Sequence, residues 1–206
     1  MRRLDEHDPA ALAAAADVLA GGGLLVVPTD TVYGMAARPD RPDAVEGIYR
    51  AKGRPSGMPL PVLAASLDQV RALGVAMTPA GHALAARWWP GPLTLVFGFS
   101  PVTPRPAWLD DRDEVAVRLP RHHFLQALLE ITGVLLVTSA NRHGSPTPAS
   151  AAAAAAEVGS AGLVIDGGVL TDTPSTLVNL HGGTPVVERV GAISADEVAQ
   201  CVAAVP

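Results

Sequence analysis

The sequence predicts an α/β domain built around a mixed sheet, and three observations carry that prediction. Short apolar runs alternate with longer helical patterns along all 206 residues. Apolar residues make up 49% of the chain, enough to bury a full core without disulfide staples. Glycine and proline mark many of the transitions between the two kinds of pattern.

Taken in order, Pro9–Ala20 reads as a helix with Asp8 as its N-cap and Gly21–Gly23 as its stop. Leu24–Val27 is a buried strand running into Pro28. Asp43–Ala51 reads as a helix and Leu60–Leu63 as a strand. Ser66–Leu73 and Thr78–Trp88 are further helices, the second closed by Pro90–Gly91. Leu93–Phe97 and Val115–Leu119 are strands, and the Pro-, Asp- and Arg-containing stretch Ser100–Asp113 between them is expected to be a mobile surface loop. His123–Thr132 is a helix stopped by Gly133, and Val134–Val137 is a short strand. The alanine-rich Ser150–Val158 has strong helix propensity. Leu163–Ile165, Thr176–Asn179 and Val186–Arg189 complete the strands. Ser194–Val202 is the last helix, with Ser194 and Glu197 at capping-box spacing. No repeat or linker divides the chain, so one domain over 1–206 is expected.

Composition narrows the function classes. The single cysteine, Cys201, excludes an internal disulfide framework and a cysteine-rich zinc site, and fits a reducing cytoplasm. The six histidines show no paired ligand spacing, so solvent-exposed or capping roles are expected and no metal site is assigned. Arg2 and Arg3 lead into acids and an Ala-rich helical pattern, unlike a signal peptide. No apolar run nears the ~20 residues that span a bilayer. The formal net charge of −5 opposes strong autonomous RNA binding, which phosphate contacts dominate, and favours small-molecule chemistry.

Three clusters carry chemistry. Pro28-Thr29-Asp30-Thr31-Val32-Tyr33-Gly34 follows a buried strand and places hydroxyls and N–H groups at a sheet edge; a polar turn with a packed tyrosine explains it equally well. Lys52-Gly53-Arg54-Pro55 sets two cations about a glycine, as a polyanion site or a solvated helix C-terminus would. Ser139-Ala140-Asn141 again opens a buried strand into small polar residues, as does a structural turn. Arg118, inside the apolar strand Val115–Leu119, needs an anionic ligand or a neighbouring carboxylate. Arg189 poses the same question.

The order of these motifs is more specific than any one of them. Together with Trp89-Pro90-Gly91-Pro92-Leu93-Thr94-Leu95-Val96, Val117-Arg118-Leu119-Pro120, Ser175-Thr176-Leu177-Val178 and Arg189-Val190-Gly191, they make the chain resemble the YrdC-like family from about residue 10 to residue 195. The resemblance implies a twisted, open mixed sheet with flanking helices and a large concave cavity. It implies an L-threonylcarbamoyladenylate synthase, which joins L-threonine, bicarbonate and ATP and releases pyrophosphate. The product would pass to a tRNA threonylcarbamoyl-transferase complex. Matched by position, Lys52, Arg54, Asn141 and Arg189 are ATP contacts, with Lys52 and Arg54 catalytic. Thr31, Tyr33, Arg118, Ser139 and Ser175 are threonine or carbamate contacts. Mg2+ is expected with the triphosphate. The chain departs from the pattern at Leu63, where many synthases carry a histidine, at Ala149 and at Val190. Two other readings stand beside this one: a related carbamoyl-adenylate chemistry, and a non-catalytic factor for double-stranded RNA or ribosome maturation.

Overall fold

The computed structural model describes residues 1–55, 58–159, 161–170 and 173–205. Its strands are β1 (Arg2–Asp5), β2 (Leu25–Val27), β3 (Gly34–Ala37), β4 (Val62–Leu63), β5 (Leu93–Gly98), β6 (Glu114–Arg118), β7 (Leu135–Ser139), β8 (Leu163–Asp166), β9 (Thr176–Asn179) and β10 (Val186–Arg189). They form one open sheet in the order β1-β8-β2-β3-β7-β4-β6-β5-β9-β10. The sheet is mixed: β1–β8, β2–β8, β4–β6 and β5–β9 are parallel, and the other pairings are antiparallel. The helices are α1 (Ala11–Ala20), α2 (Pro42–Lys52), α3 (Leu67–Arg71), α4 (Pro79–Trp88), α5 (His123–Thr132), α6 (Ala151–Val158) and α7 (Ala195–Ala203). None is long and apolar enough to cross a membrane.

Strand alternation divides the core between the two faces of the sheet. Val26, Met35, Val62, Leu95, Val117 and Val178 point to one face, where Ile48 of α2, Leu84 of α4 and Val198 of α7 also pack. Leu25, Ala36, Leu63, Leu135, Val137 and Leu163 belong to the other, packed with Leu19 of α1 and Leu125 of α5. That second face is covered only over part of its width. On its β6-β5-β9-β10 portion, Ala116 and Leu177 are half-buried and Arg189 is exposed.

Two strands escape the sequence pattern. β1, Arg-Arg-Leu-Asp, is a mostly exposed edge strand held by parallel pairing to β8, so it needs no apolar alternation. β3, Gly-Met-Ala-Ala, is fully buried between β2 and β7, yet glycine and alanine are poor strand formers. Crowding explains the choice: a Cβ on Gly34 would meet Val137 Cγ1 at 2.6 Å. The capping expectation for Asp8 also shifts. The N-cap of α1 is Ala10, without a side-chain bond, while Asp8 Oδ1 accepts from the Ala10 N–H at 2.8 Å in the preceding turn. Ser194 and Glu197 do form the expected capping box. The stretch 100–113 is tied down: its 3₁₀ turn Ala107–Leu109 buries Leu109 fully, and Arg105 lies over the Phe99 ring at 4.4 Å.

Candidate active site

Arg118 is the centre of the site. Its neighbour Val117 packs on the first face, so alternation sends Arg118 to the second, at the same register and on the same face as Leu63 of β4. Only 6% of the residue is exposed. Nε donates to the Gly91 carbonyl at 3.0 Å, Nη1 to Thr31 Oγ1 at 2.8 Å and Nη2 to Asp30 Oδ1 at 2.5 Å. Of the two readings open for a buried arginine, the carboxylate partner is therefore present, and it is Asp30. Burial pushes the Arg118 guanidinium down, and Asp30 opposes that shift.

Thr31 is positioned by its own turn. Thr29 Oγ1 donates to the Val32 carbonyl at 2.8 Å and accepts from the N–H groups of Thr31 and Val32 at 3.0 and 3.1 Å. Such hydroxyl-to-backbone bonding suits threonine in a tight turn after a strand. Tyr33 is fully buried. Its hydroxyl donates to the Gly168 carbonyl at 2.7 Å and accepts from the Gly167 N–H at 3.0 Å, so this turn is pinned to the end of β8.

The second cluster adjoins the first through backbone. Gly34 pairs with Ser139, and the Ala140 N–H donates to the Tyr33 carbonyl at 2.8 Å. Lys52 ends α2 and is 3% exposed, which removes the solvated-terminus reading for it. Its ammonium donates to the carbonyls of Ser139 and Asn141, the latter at 2.6 Å, and to Asn141 Oδ1 at 3.3 Å. Asn141 Nδ2 in turn donates to the carbonyls of Arg142 and Ser145 at 3.0 and 2.6 Å. Burial, then the nearby Arg54 charge, lower Lys52 to about 8. Gly53 closes the helix with φ 59°, a left-handed geometry that glycine adopts freely. Arg54 then folds onto the carbonyls of Met58 and Pro59 at 3.3 and 3.1 Å.

The third cluster closes the arrangement. Ser175 precedes β9, and its hydroxyl lies 2.8 Å from Thr94 Oγ1 of β5. Arg189, at the end of β10, donates to the Ser175 carbonyl from Nε and Nη2 at 3.1 and 2.9 Å, and to Ser175 Oγ at 3.1 Å. Although the residue as a whole is exposed, desolvation of its guanidinium against Ser175, and then the charge of Arg118, lower Arg189. Four cations thus serve one region, and among the described residues Asp30 is the only carboxylate in ion-pair contact with any of them. In a chain of net charge −5 this is a local positive field suited to anions.

Asp30 and Thr94 were not among the sequence-derived site residues. Asp30 stood in the quoted motif between two threonines, and pairing it with the buried arginine was the available signal. Thr94 breaks the apolar run Leu93–Phe97 on the face opposite Leu93 and Leu95, a period-two clue. His122 also departs from expectation. Its side chain is only 15% exposed, with Nε2 3.4 Å from Glu6 Oε2, and Nδ1 buried without a partner. It is the backbone N-cap of α5 but makes no capping bond. Among the described residues no group of three or more His, Cys, Asp or Glu could hold a metal ion.

The chain is similar to known proteins in both sequence and fold. The Sua5–YciO–YrdC family model, described as telomere recombination, matches residues 17–191. A Pyrococcus abyssi protein named threonylcarbamoyl-AMP synthase is 38% identical over 187 residues, covering 89% of this chain and 55% of that one. The crystal structure of P. abyssi Sua5 complexed with L-threonine superposes with a TM-score of 0.85 at 35% identity, covering 99% of this chain and 60% of that one. Escherichia coli YciO superposes with a TM-score of 0.82 at 26% identity, over 96% of this chain and 97% of that one. The chain therefore spans little more than half the length of the archaeal relative it matches.

Proposed function

This chain belongs to the Sua5–YciO–YrdC family, and from that premise we propose that residues 1–206 form a YrdC-like domain with L-threonylcarbamoyl-AMP synthase activity. The observation that carries the reading is the placing of Arg118 and Arg189 on the hydroxyls of Thr31 and Ser175, with Lys52 on the adjoining Ser139–Asn141 backbone and, among the described residues, Asp30 the one carboxylate paired with these cations.

The reaction brings anions together. The threonine amine attacks the carbon of bicarbonate or of carbon dioxide; the N–C bond forms, and water leaves from the bicarbonate adduct, or a proton from the carbon dioxide adduct, to give the carbamate. A carbamate oxygen then attacks the α-phosphorus of ATP and pyrophosphate departs. Little acid–base chemistry is needed from the protein, so positioning and charge stabilisation supply the rate. Arg118 takes the threonine carboxylate, with Thr31 and Ser175 fixing its orientation and Ser139 close to the carbamate. Tyr33 acts from behind by holding the Thr31 turn against β8. Arg189 and Arg54 face the phosphates. Lys52 holds the Ser139–Asn141 backbone in shape, and its charge offsets that developing on the leaving group. Mg2+ would ride on phosphate oxygens and water, since among the described residues no cluster of acidic or histidine ligands would hold it. The product would serve threonylcarbamoyladenosine formation in tRNA, in the cytoplasm, through a separate transferase complex. Weak or no direct tRNA binding goes with the net charge.

One observation favours a second substrate. Leu63 is 5% exposed and shares the face and register of Arg118, where a polar side chain would help hold an amino acid. A carbamoyl donor without the amino-acid part would need no such group. The test is pyrophosphate release by the purified protein with ATP and bicarbonate, comparing L-threonine, L-serine and carbamoyl phosphate. Threonine-dependent release supports the synthase. Release with carbamoyl phosphate alone selects the second reading, and salt-sensitive tRNA binding without nucleotide turnover would select an RNA-binding role.

A further inference from the structure

A cavity of about 470 Å³ opens where β5, β6 and β9 end away from Arg118. Strand register fixes its distance from the site. Gly98 pairs with Glu114, and Arg118 lies four residues further along β6, so the two are roughly 13 Å apart at ~3.3 Å per residue. None of the site residues above lines it.

The walls of the cavity are unusual for an idle depression. Gly98 leaves room for the His181 ring, whose Nδ1 would lie 3.2 Å from a Cβ placed there. Arg105 is fixed against Phe99 and donates to the carbonyls of Arg112 and Asp110 at 3.0 and 2.7 Å. Asp110 balances its charge at 3.5 Å. Arg112 is different. It lies over Trp108 at 5.9 Å, its Nη1 is buried with no hydrogen-bond partner, and among the described residues no carboxylate pairs with it. A half-buried guanidinium without a counter-charge is costly, and burial pushes its proton affinity down accordingly. Asp113 lines the same cavity but is exposed, so water screens its charge more than that of the half-buried Arg112.

We propose that this cavity is a second ligand site, taking a small oxyanion, a phosphate or carboxylate group, on Arg112, with Arg105 as the rigid wall beside it. The volume suits a metabolite rather than a macromolecule.

The test is amide and arginine-side-chain NMR of the whole protein during titration with inorganic phosphate and, separately, malonate. Saturable shifts of the Gly98 and Gly183 amides and the Arg112 Nε–H are expected. Phosphate alone would assign a phosphate site and malonate alone a carboxylate site. Arg112→Gln should weaken binding about tenfold or more, the size of a lost charge-assisted contact, while the thermal midpoint holds or rises as the unpaired charge is removed. Shifts confined to Gly34, Ser139 and Ser175 would mean anion binding at the active site only, and would overturn the proposal. So would the absence of saturation with both anions, or unchanged affinity in Arg112→Gln. Because the mapping uses the unaltered protein and no turnover, it succeeds or fails independently of the proposed synthase activity.

Discussion

Breaking the Asp30–Arg118 pair is the most informative perturbation. Both side chains are nearly buried, 12% and 7% exposed, with Nη2 and Oδ1 2.5 Å apart. With charge centres ~4 Å apart and an effective dielectric of ~20, their attraction is about 4 kcal/mol. Removing two ions from water costs several kcal/mol each, so the intact pair contributes little net stability. Losing one partner is another matter. Arg118→Met leaves Asp30 buried and alone and strips donors from the Gly91 carbonyl and Thr31 Oγ1, a loss of about 3–5 kcal/mol. Asp30→Asn keeps an acceptor for Nη2 but removes the charge, so a loss near the lower end, about 3 kcal/mol, is expected. The double variant should lose less than the sum by about 2 kcal/mol or more, because neither ion is then stranded. Urea unfolding of the four proteins at pH 7 measures the cycle, and calorimetric titration with L-threonine measures the site. Additivity within about 0.5 kcal/mol would refute the coupling. Full threonine affinity in Arg118→Met would remove Arg118 from the site.

Three further outcomes follow from the same geometry. Lys52 is depressed to about 8 in the folded protein against 10.5 unfolded, so between those values the unfolded chain binds the extra proton and stability rises with pH. Unfolding free energies from pH 7 to pH 10 should show that rise in the parent and not in Lys52→Met. Above about pH 8 the neutral amine also weakens its hold on the Ser139 and Asn141 carbonyls, and turnover should fall there. Gly191→Ala should cut activity at least tenfold, because its Cβ would collide with the Pro174 carbonyl and lie 2.7 Å from Ser175 C, displacing the Ser175–Arg189 corner; an unchanged KM and kcat would show that corner to be dispensable. Leu63→His, placing a donor beside Arg118, should lower the KM for threonine if the amino acid lies on that face, and a steady-state titration reads the result.

Much of the architecture was legible because it depends on local chemistry. Apolar period, the capping box of Ser194 and Glu197 and the glycine stop at Gly133 are all written in neighbouring residues. The motif order also sufficed to identify the family. Tertiary pairing decided the rest. β1 is a strand only because β8 lies beside it, and β3 only because β2 and β7 close over its small side chains. Asp30 became the partner of Arg118 across 88 residues of sequence, and Lys52 a bond to the backbone at Asn141 across 89. Hydrophobic period is a property of adjacent residues and can be read along the chain. The partner of a buried charge is set by which strand ends the sheet brings together, and that is fixed only once the sheet has formed.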